Sequence, residues 1–426
     1  MAEAGALPVP GVAPAAAPAP TERTAGETPE APLEQTHWLP LIECMRAVAA
    51  SVVVVHHLND LGDHPAFIPQ TVIPGFGEWG VDIFFLLSSF LLAEYFWRGR
   101  GRRSLRAFYT RRFFRIAPAY YAVLLILFLF FADHKLLFSR FGIKQVLASG
   151  TFMHYAFPAT ASSMNVDGAL WTLTIEMLLY LALPLMALAV LWRPAVAVAG
   201  MVAVGLGYRV YLALAGAGLV HFYFGDGAGI GDGLARLYLA RQFIGFLPVF
   251  ALGIGLRWLL VKHRLPGRLV APLRRPSTLI FLLLLVPSLL LLTQIVPASQ
   301  FGNPALFAGF DLGIGLCTLP LLLYASRPVT GSLPLPLRAG VWLGRRSYGL
   351  YLWHFPVILS VYGRGSSLGP PQLSNFPIRV VMVWVLAVGL AAASYSLVEK
   401  PAMDYAARLA RRWSAKTISL PAAAPV

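Results

Sequence analysis

Arg46 and His57 are the residues of this chain best placed to do chemistry, because both are ionisable and both fall in a strongly apolar stretch, Trp38 to Leu58. They are eleven positions apart. At about 100° and ~1.5 Å per residue that is three turns plus about 20°, so a helix would carry both on one face, ~16 Å apart. Ionisable groups at membrane depth are costly and usually face a bundle interior or a wet cavity, which makes them functional-site candidates by default. An imidazole with an ordinary pKa of about 6.5 suits a general base for a hydroxyl, or a transient nucleophile. An interfacial histidine capping a helix end, with an arginine snorkelling to the headgroups, fits the same spacing.

Two carboxylates compete to orient that imidazole. Asp82, in GEWGVDIFFLLSSFLLAEYF, falls just inside a second apolar stretch near the same surface as His57, although a carboxylate there also suits the positive end of a helix dipole. Glu176, in LWTLTIEMLLY, is a lone glutamate among apolar neighbours and needs a partner or a proton. Arg112 and Arg115 stand three apart in TRRFFRIAP. A guanidinium pair on one helix face at the water boundary suits bidentate recognition of phosphate, and an anionic donor such as a CoA thioester could dock there. The longer run RRSLRAFYTRRFFRIAP also resembles a topology signal or an anionic-lipid contact. His354, in LGRRSYGLYLWHFPV, reads as a satisfied interior histidine rather than a catalyst.

The elements that must position these residues are membrane helices. Of 426 residues, 58% are hydrophobic and 12% charged, against about 25% charged in soluble domains. The net charge of +15 is better explained by basic residues distributed about a membrane than by nucleic acid. Cys44 and Cys317 both lie in apolar runs, so neither a disulfide framework nor a metal site is expected. Apolar windows predict ten spans, at about 38–59, 76–96, 114–132, 169–191, 194–215, 237–260, 277–296, 304–325, 342–361 and 376–398. Arg98 to Arg115, Lys262 to Arg275 and the C-terminal tail then concentrate basic residues on one side, which puts both termini in the cytoplasm. Residues 1–36 read as a disordered Ala/Pro-rich tail, 37–402 as the transmembrane domain and 403–426 as a basic tail. The stretch GDGAGIGDG, Gly225 to Gly233, reads as a flexible linker.

In order along the chain, several segments resemble motifs of the acyltransferase family 3 membrane proteins. These are the arginine and histidine with ten residues between at Arg46 and His57, GVDIFFLLSSFLL, TRRFFRIAP with its Arg112 and Arg115 pair, LWTLTIEMLLYLALPL, LGRRSYGLYLWHFPV and SYSLVEKP. Two positions depart from the pattern. Ile42-Glu43-Cys44-Met45-Arg46 replaces the usual Leu-Asp-Gly-Leu-Arg, which is expected to reshape the cytoplasmic entry, and Ser89 stands where glycine is usual, which is expected to alter packing against the first span.

The expectation is an all-α membrane bundle of about ten helices in the cell membrane. The resemblance implies an O-acyltransferase with no bound cofactor, acyl-CoA (acetyl-CoA in the simplest case) as donor substrate, and a carbohydrate or natural-product hydroxyl as acceptor. No fused esterase-like domain is expected. His57, oriented by Asp82 or Glu176, would be the catalytic base, and Arg46, Arg112 and Arg115 would bind acyl-CoA. Direct transfer and an acyl-histidine intermediate both fit. A transporter or exporter is the alternative, since intramembrane charges are ordinary there too, but it favours repeated halves with broken helices, which the chain does not display.

Overall fold

The computed structural model describes residues 39–60, 73–97, 104–132, 134–161, 168–215, 218, 222–223, 232–262, 271–272, 275, 304–327, 329, 331–362 and 376–417, all within the unit Leu39–Val426. The expected tail 1–36, the seventh span 277–296 and residues 225–231 of the glycine-rich stretch lie outside them, as do Arg98, Arg100, Arg102 and Arg103.

Among the described residues every regular element is helical. The longer ones are α1 (Pro40–Asp60), α2 (Ile73–Ala93), α3 (Leu105–Ile126), α4 (Arg140–Gly150), α5 (Trp171–Trp192), α6 (Pro194–Leu214) and α7 (Asp232–Ala240). They are followed by α8 (Leu247–Lys262), α9 (Pro304–Ala325), α10 (Leu335–Arg345), α11 (Ser347–Tyr362), α12 (Phe376–Ser394) and α13 (Lys400–Thr417). Eight helical stretches among the described residues are long and apolar enough to cross a membrane, and the chain is a multi-pass membrane protein. The β-branched run Val52 to Val55 in α1 has poor helix propensity in water. In hydrocarbon, where every backbone group must be satisfied internally, helix is the conformation open to it.

Four predicted spans differ from the helices found, among them the sixth, at about 237–260, which is broken between Ala240 and a 3-10 turn, Phe243–Phe246, that leads into α8. The third begins at Leu105 rather than near 114, because the Ser104 hydroxyl accepts the Ala107 N–H at 3.3 Å and caps the helix. Arg106, Arg111 and Arg112 therefore sit on a helix and not in a loop. The ninth is broken at Arg346 (φ −104°, ψ 3°) into α10 and the 16-residue α11. Gly344, at the end of α10, packs on the Glu43 carbonyl of α1 where a Cβ would collide with it. The last span runs on through a π-helical turn, Tyr395–Glu399, into α13, so that residues 403–417 continue the helix.

The core joins α2, α3, α5 and α8 through fully buried side chains such as Leu86, Phe90, Tyr120, Leu179 and Phe250. Helix α1 packs on α2, α10 and α11. Its approach to α2 is close at Gly80, where a Cβ would stand 2.7 Å from the Ala49 carbonyl oxygen. Ser89, expected to bear on the first span, instead faces α8, where Gly253 leaves room for its hydroxyl. That hydroxyl donates to the Leu86 carbonyl at 3.0 Å. The serine is accommodated by a glycine on the opposite helix.

Candidate active site

A cavity of about 280 Å³ opens between α1, α2, α3, α5 and α11. Arg46 of α1, Arg112 and Arg115 of α3, and Glu176 and Tyr180 of α5 line it. The early start of α3 makes this possible: residues three apart share a helix face, so Arg112 and Arg115 turn inward while Phe113 between them is exposed. Glu176 accepts hydrogen bonds from the Ser88 hydroxyl at 3.3 Å and from Tyr180, one turn on in α5.

Arg115 is held from the far end of the chain. Its Nη1 lies 3.6 Å from Oε2 of Glu399, which is 1% exposed, and 3.2 Å from the Met403 sulfur. Glu399 closes the π-helical turn between α12 and α13, in the SYSLVEKP segment. Arg46 and Arg112 differ: neither makes a hydrogen bond or ion pair among the described residues, and both face the cavity. Two guanidiniums open to one cavity, with a third beside them, have the chemistry to hold an anion.

The other end of the cavity is closed by Phe84, Thr172 and Tyr351. The Tyr351 hydroxyl shares a 2.6 Å hydrogen bond with the Thr172 hydroxyl and donates to the Ala169 carbonyl. On the next turn of α11, the His354 ring centroid is 5.7 Å from that of Tyr351. His354 is fully buried, and its Nε2 lies 3.3 Å from Nδ1 of His57. His57 Nδ1 is also 3.0 Å from the Val53 carbonyl oxygen. An N–H on Nδ1 donates to that carbonyl and leaves Nε2 of His57 with its lone pair free. From the arginines the order is therefore cavity, Tyr351, His354, His57.

His354 is what sequence reasoning missed. Only its place in LGRRSYGLYLWHFPV could have flagged it, since a lone histidine in an apolar helix carries no signal by spacing. Neither expected carboxylate hydrogen-bonds His57. Glu176 belongs to the arginine cavity. Asp82 is one turn from Glu78 on α2 and shares its face, away from the Gly80 face that meets α1, so it points toward Arg209 and Asp311. The Glu43-Cys44 departure contacts α10, with the Cys44 thiol 3.6 Å from the Leu337 carbonyl oxygen, and Arg46 alone of that segment lines the cavity.

Residues 39–396 match the protein family described as Acyltransferase domain. The O-acetyltransferase OatA of Staphylococcus aureus (strain NCTC 8325 / PS 47) is 26% identical over 396 residues, covering 85% of this chain and 57% of its own. The peptidoglycan O-acetyltransferase OatA of Listeria monocytogenes is 26% identical over 344 residues, covering 75% of this chain and 49% of its own. The chain thus spans about half the length of these curated relatives. No solved structure gives a significant match.

Proposed function

The chain belongs to the Acyltransferase domain family, and from that membership we propose that it is a membrane O-acyltransferase moving a short acyl group from acyl-CoA to a hydroxyl of a carbohydrate acceptor. The acceptor class is taken from the relatives, one of which is named as acting on peptidoglycan. The observation that carries the donor is the pair of guanidiniums with no direct hydrogen bond or ion pair among the described residues, Arg46 and Arg112, beside Arg115 in a single cavity. Phosphates of the donor meet these arginines. A cavity of about 280 Å³ is at the small end for ligand sites and suits a pantetheine arm with its phosphate end at the arginines rather than a whole nucleotide. The family favours transfer chemistry over transport.

In this reading the arginine end faces the cytoplasm, the side that the distribution of basic residues favours. A charged CoA cannot cross ~30 Å of hydrocarbon, so the acyl arm reaches inward toward Tyr351 and the acceptor meets it from the His57 side. The acceptor oxygen attacks the thioester carbonyl, its O–H bond breaks and the C–S bond breaks. His57 Nε2 takes the hydroxyl proton and returns it to the departing thiolate, so that ester and free thiol are the products. The Val53 carbonyl and His354 Nε2 face Nδ1 and stabilise the imidazolium formed in between. Glu176, with Ser88 and Tyr180, orients the arginine end.

The test uses the purified protein in lipid nanodiscs with labelled acetyl-CoA and soluble peptidoglycan glycan-strand fragments, without any ion gradient. Labelled ester on the glycan is the expected result. No transfer, or transfer only with a gradient across sealed vesicles, would overturn it.

A further inference from the structure

Next to the donor cavity, sharing Val81 as a common wall, lies a second, charged chamber lined by Glu78, Asp82, Trp171, Arg209, Arg241 and Asp311. Its free volume is only about 20 Å³, room for one oxygen-sized group. The charges are unevenly matched. Glu78 is paired with Arg241 at 2.8 Å, and Asp311 with Arg209. The Arg209 guanidinium is otherwise spent on backbone carbonyls, with Nε 3.1 Å from Gly245 O, Nη1 3.2 Å from Phe307 O and Nη2 3.3 Å from Ala240 O. Asp82 is the carboxylate left over: it is 2% exposed, and neither of its oxygens accepts a hydrogen bond.

A buried carboxylate with no donor is expensive and needs a reason. The direct ion pairs in the chamber go to the other two carboxylates, and Arg209 and Arg241 act on Asp82 only through space. What it lacks is an O–H or N–H donor, and the chamber has space for one. The place is also close to the chemistry, because Gly77, next to Glu78 in α2, packs against the ring of His56, the neighbour of His57 in α1.

We propose that this chamber is the acceptor subsite, in which Asp82 accepts a hydrogen bond from one hydroxyl of a polyol acceptor and so holds the acceptor beside His57. This rests on the acyltransferase reading above. It assigns Asp82 to the acceptor rather than to orienting the imidazole. The chamber is too small for a sugar ring, so a single hydroxyl enters while the rest of the acceptor stays outside.

Asp82→Ala and the volume-conserving Asp82→Asn are compared with the unaltered protein in nanodiscs by two measurements: equilibrium binding of labelled soluble glycan-strand fragments, and acetyl transfer to them at saturating acetyl-CoA. The expected result is a loss of glycan affinity of at least tenfold in Asp82→Ala and a smaller loss in Asp82→Asn, with the acetyl-CoA Kd unchanged. If transfer proceeds and both variants keep wild-type glycan affinity, the subsite is wrong while the transferase stands. A fall in kcat alone, with unchanged acceptor KM and a displaced pH profile, would return Asp82 to orienting His57 and also overturn the subsite. Wild-type binding that Asp82→Ala abolishes, without any transfer, would leave the subsite and remove the transferase; wild-type protein that neither binds nor transfers would remove both.

Discussion

His354 Nε2 lies 3.3 Å from His57 Nδ1, joining α11 to α1 at the point where both helices leave the arginine cavity behind. Because Nδ1 of His57 is engaged there and at Val53, the outer nitrogen, Nε2, is the one available to a substrate. The contact supports one division of roles in the proposed transfer, with His57 exchanging the proton and His354 holding His57.

Replacing His57 with Ala should lower acetyl transfer by about 10²–10⁴-fold, the range of general-base catalysis, with acetyl-CoA affinity retained. Undiminished transfer by a correctly inserted variant would remove His57 from the chemistry.

His354→Gln keeps a polar group of similar reach and should reduce kcat by about tenfold while donor KM is unchanged; His354→Ala should cost more. If His354 only fills space, both variants will lose thermal stability while kcat per folded molecule stays at the wild-type value.

For the donor site, Arg112→Ala and Arg115→Ala should each weaken acetyl-CoA binding by roughly ten- to a hundredfold, since a charge-assisted hydrogen bond contributes about 1.5–3 kcal/mol. Calorimetric titration of each variant with acetyl-CoA decides this, and equal affinity in the double variant contradicts the assignment.

The Arg209–Asp311 pair, buried among α6, α9 and the α7–α8 junction, is predicted to be structural. Asp311→Ala removes the carboxylate paired directly with the buried Arg209, leaving Asp82 as the remaining negative charge beside it, and should cost up to about 3–5 kcal/mol, seen as a lower unfolding midpoint in detergent. A midpoint equal to wild type would show that the three backbone carbonyls and Asp82 satisfy Arg209.

At the meeting of α2 and α8, Gly253→Val places a side chain against Ser89 and should destabilise by about 1–3 kcal/mol through overpacking. Ser89→Gly in the same background should recover part of that loss, a test of whether these two positions truly compensate.

Much of this protein is legible in its sequence. Apolar length predicts most of the spans because a chain in hydrocarbon has few conformations that satisfy its backbone. The spacing of Arg112 and Arg115 predicts a shared face because helix geometry is periodic, and both residues do line one cavity. Helix breaks were harder to read. The interruption at Arg346 depends on the close crossing of Gly344 and Glu43, two residues about 300 positions apart.

The class of protein and the shared cavity of Arg46, Arg112 and Arg115 could be anticipated from residue order alone, since hydropathy and helical periodicity are local properties. Only the tertiary structure decided which groups meet across helices. It gave His57 a histidine for a partner instead of Asp82 or Glu176, put Glu176 among the arginines, and left Asp82 unbonded in a chamber of its own. Those outcomes follow from the rotation of each helix about its axis, set where glycines such as Gly80, Gly253 and Gly344, having no side chain, allow close contact, and no spacing within one segment encodes the rotation of the next.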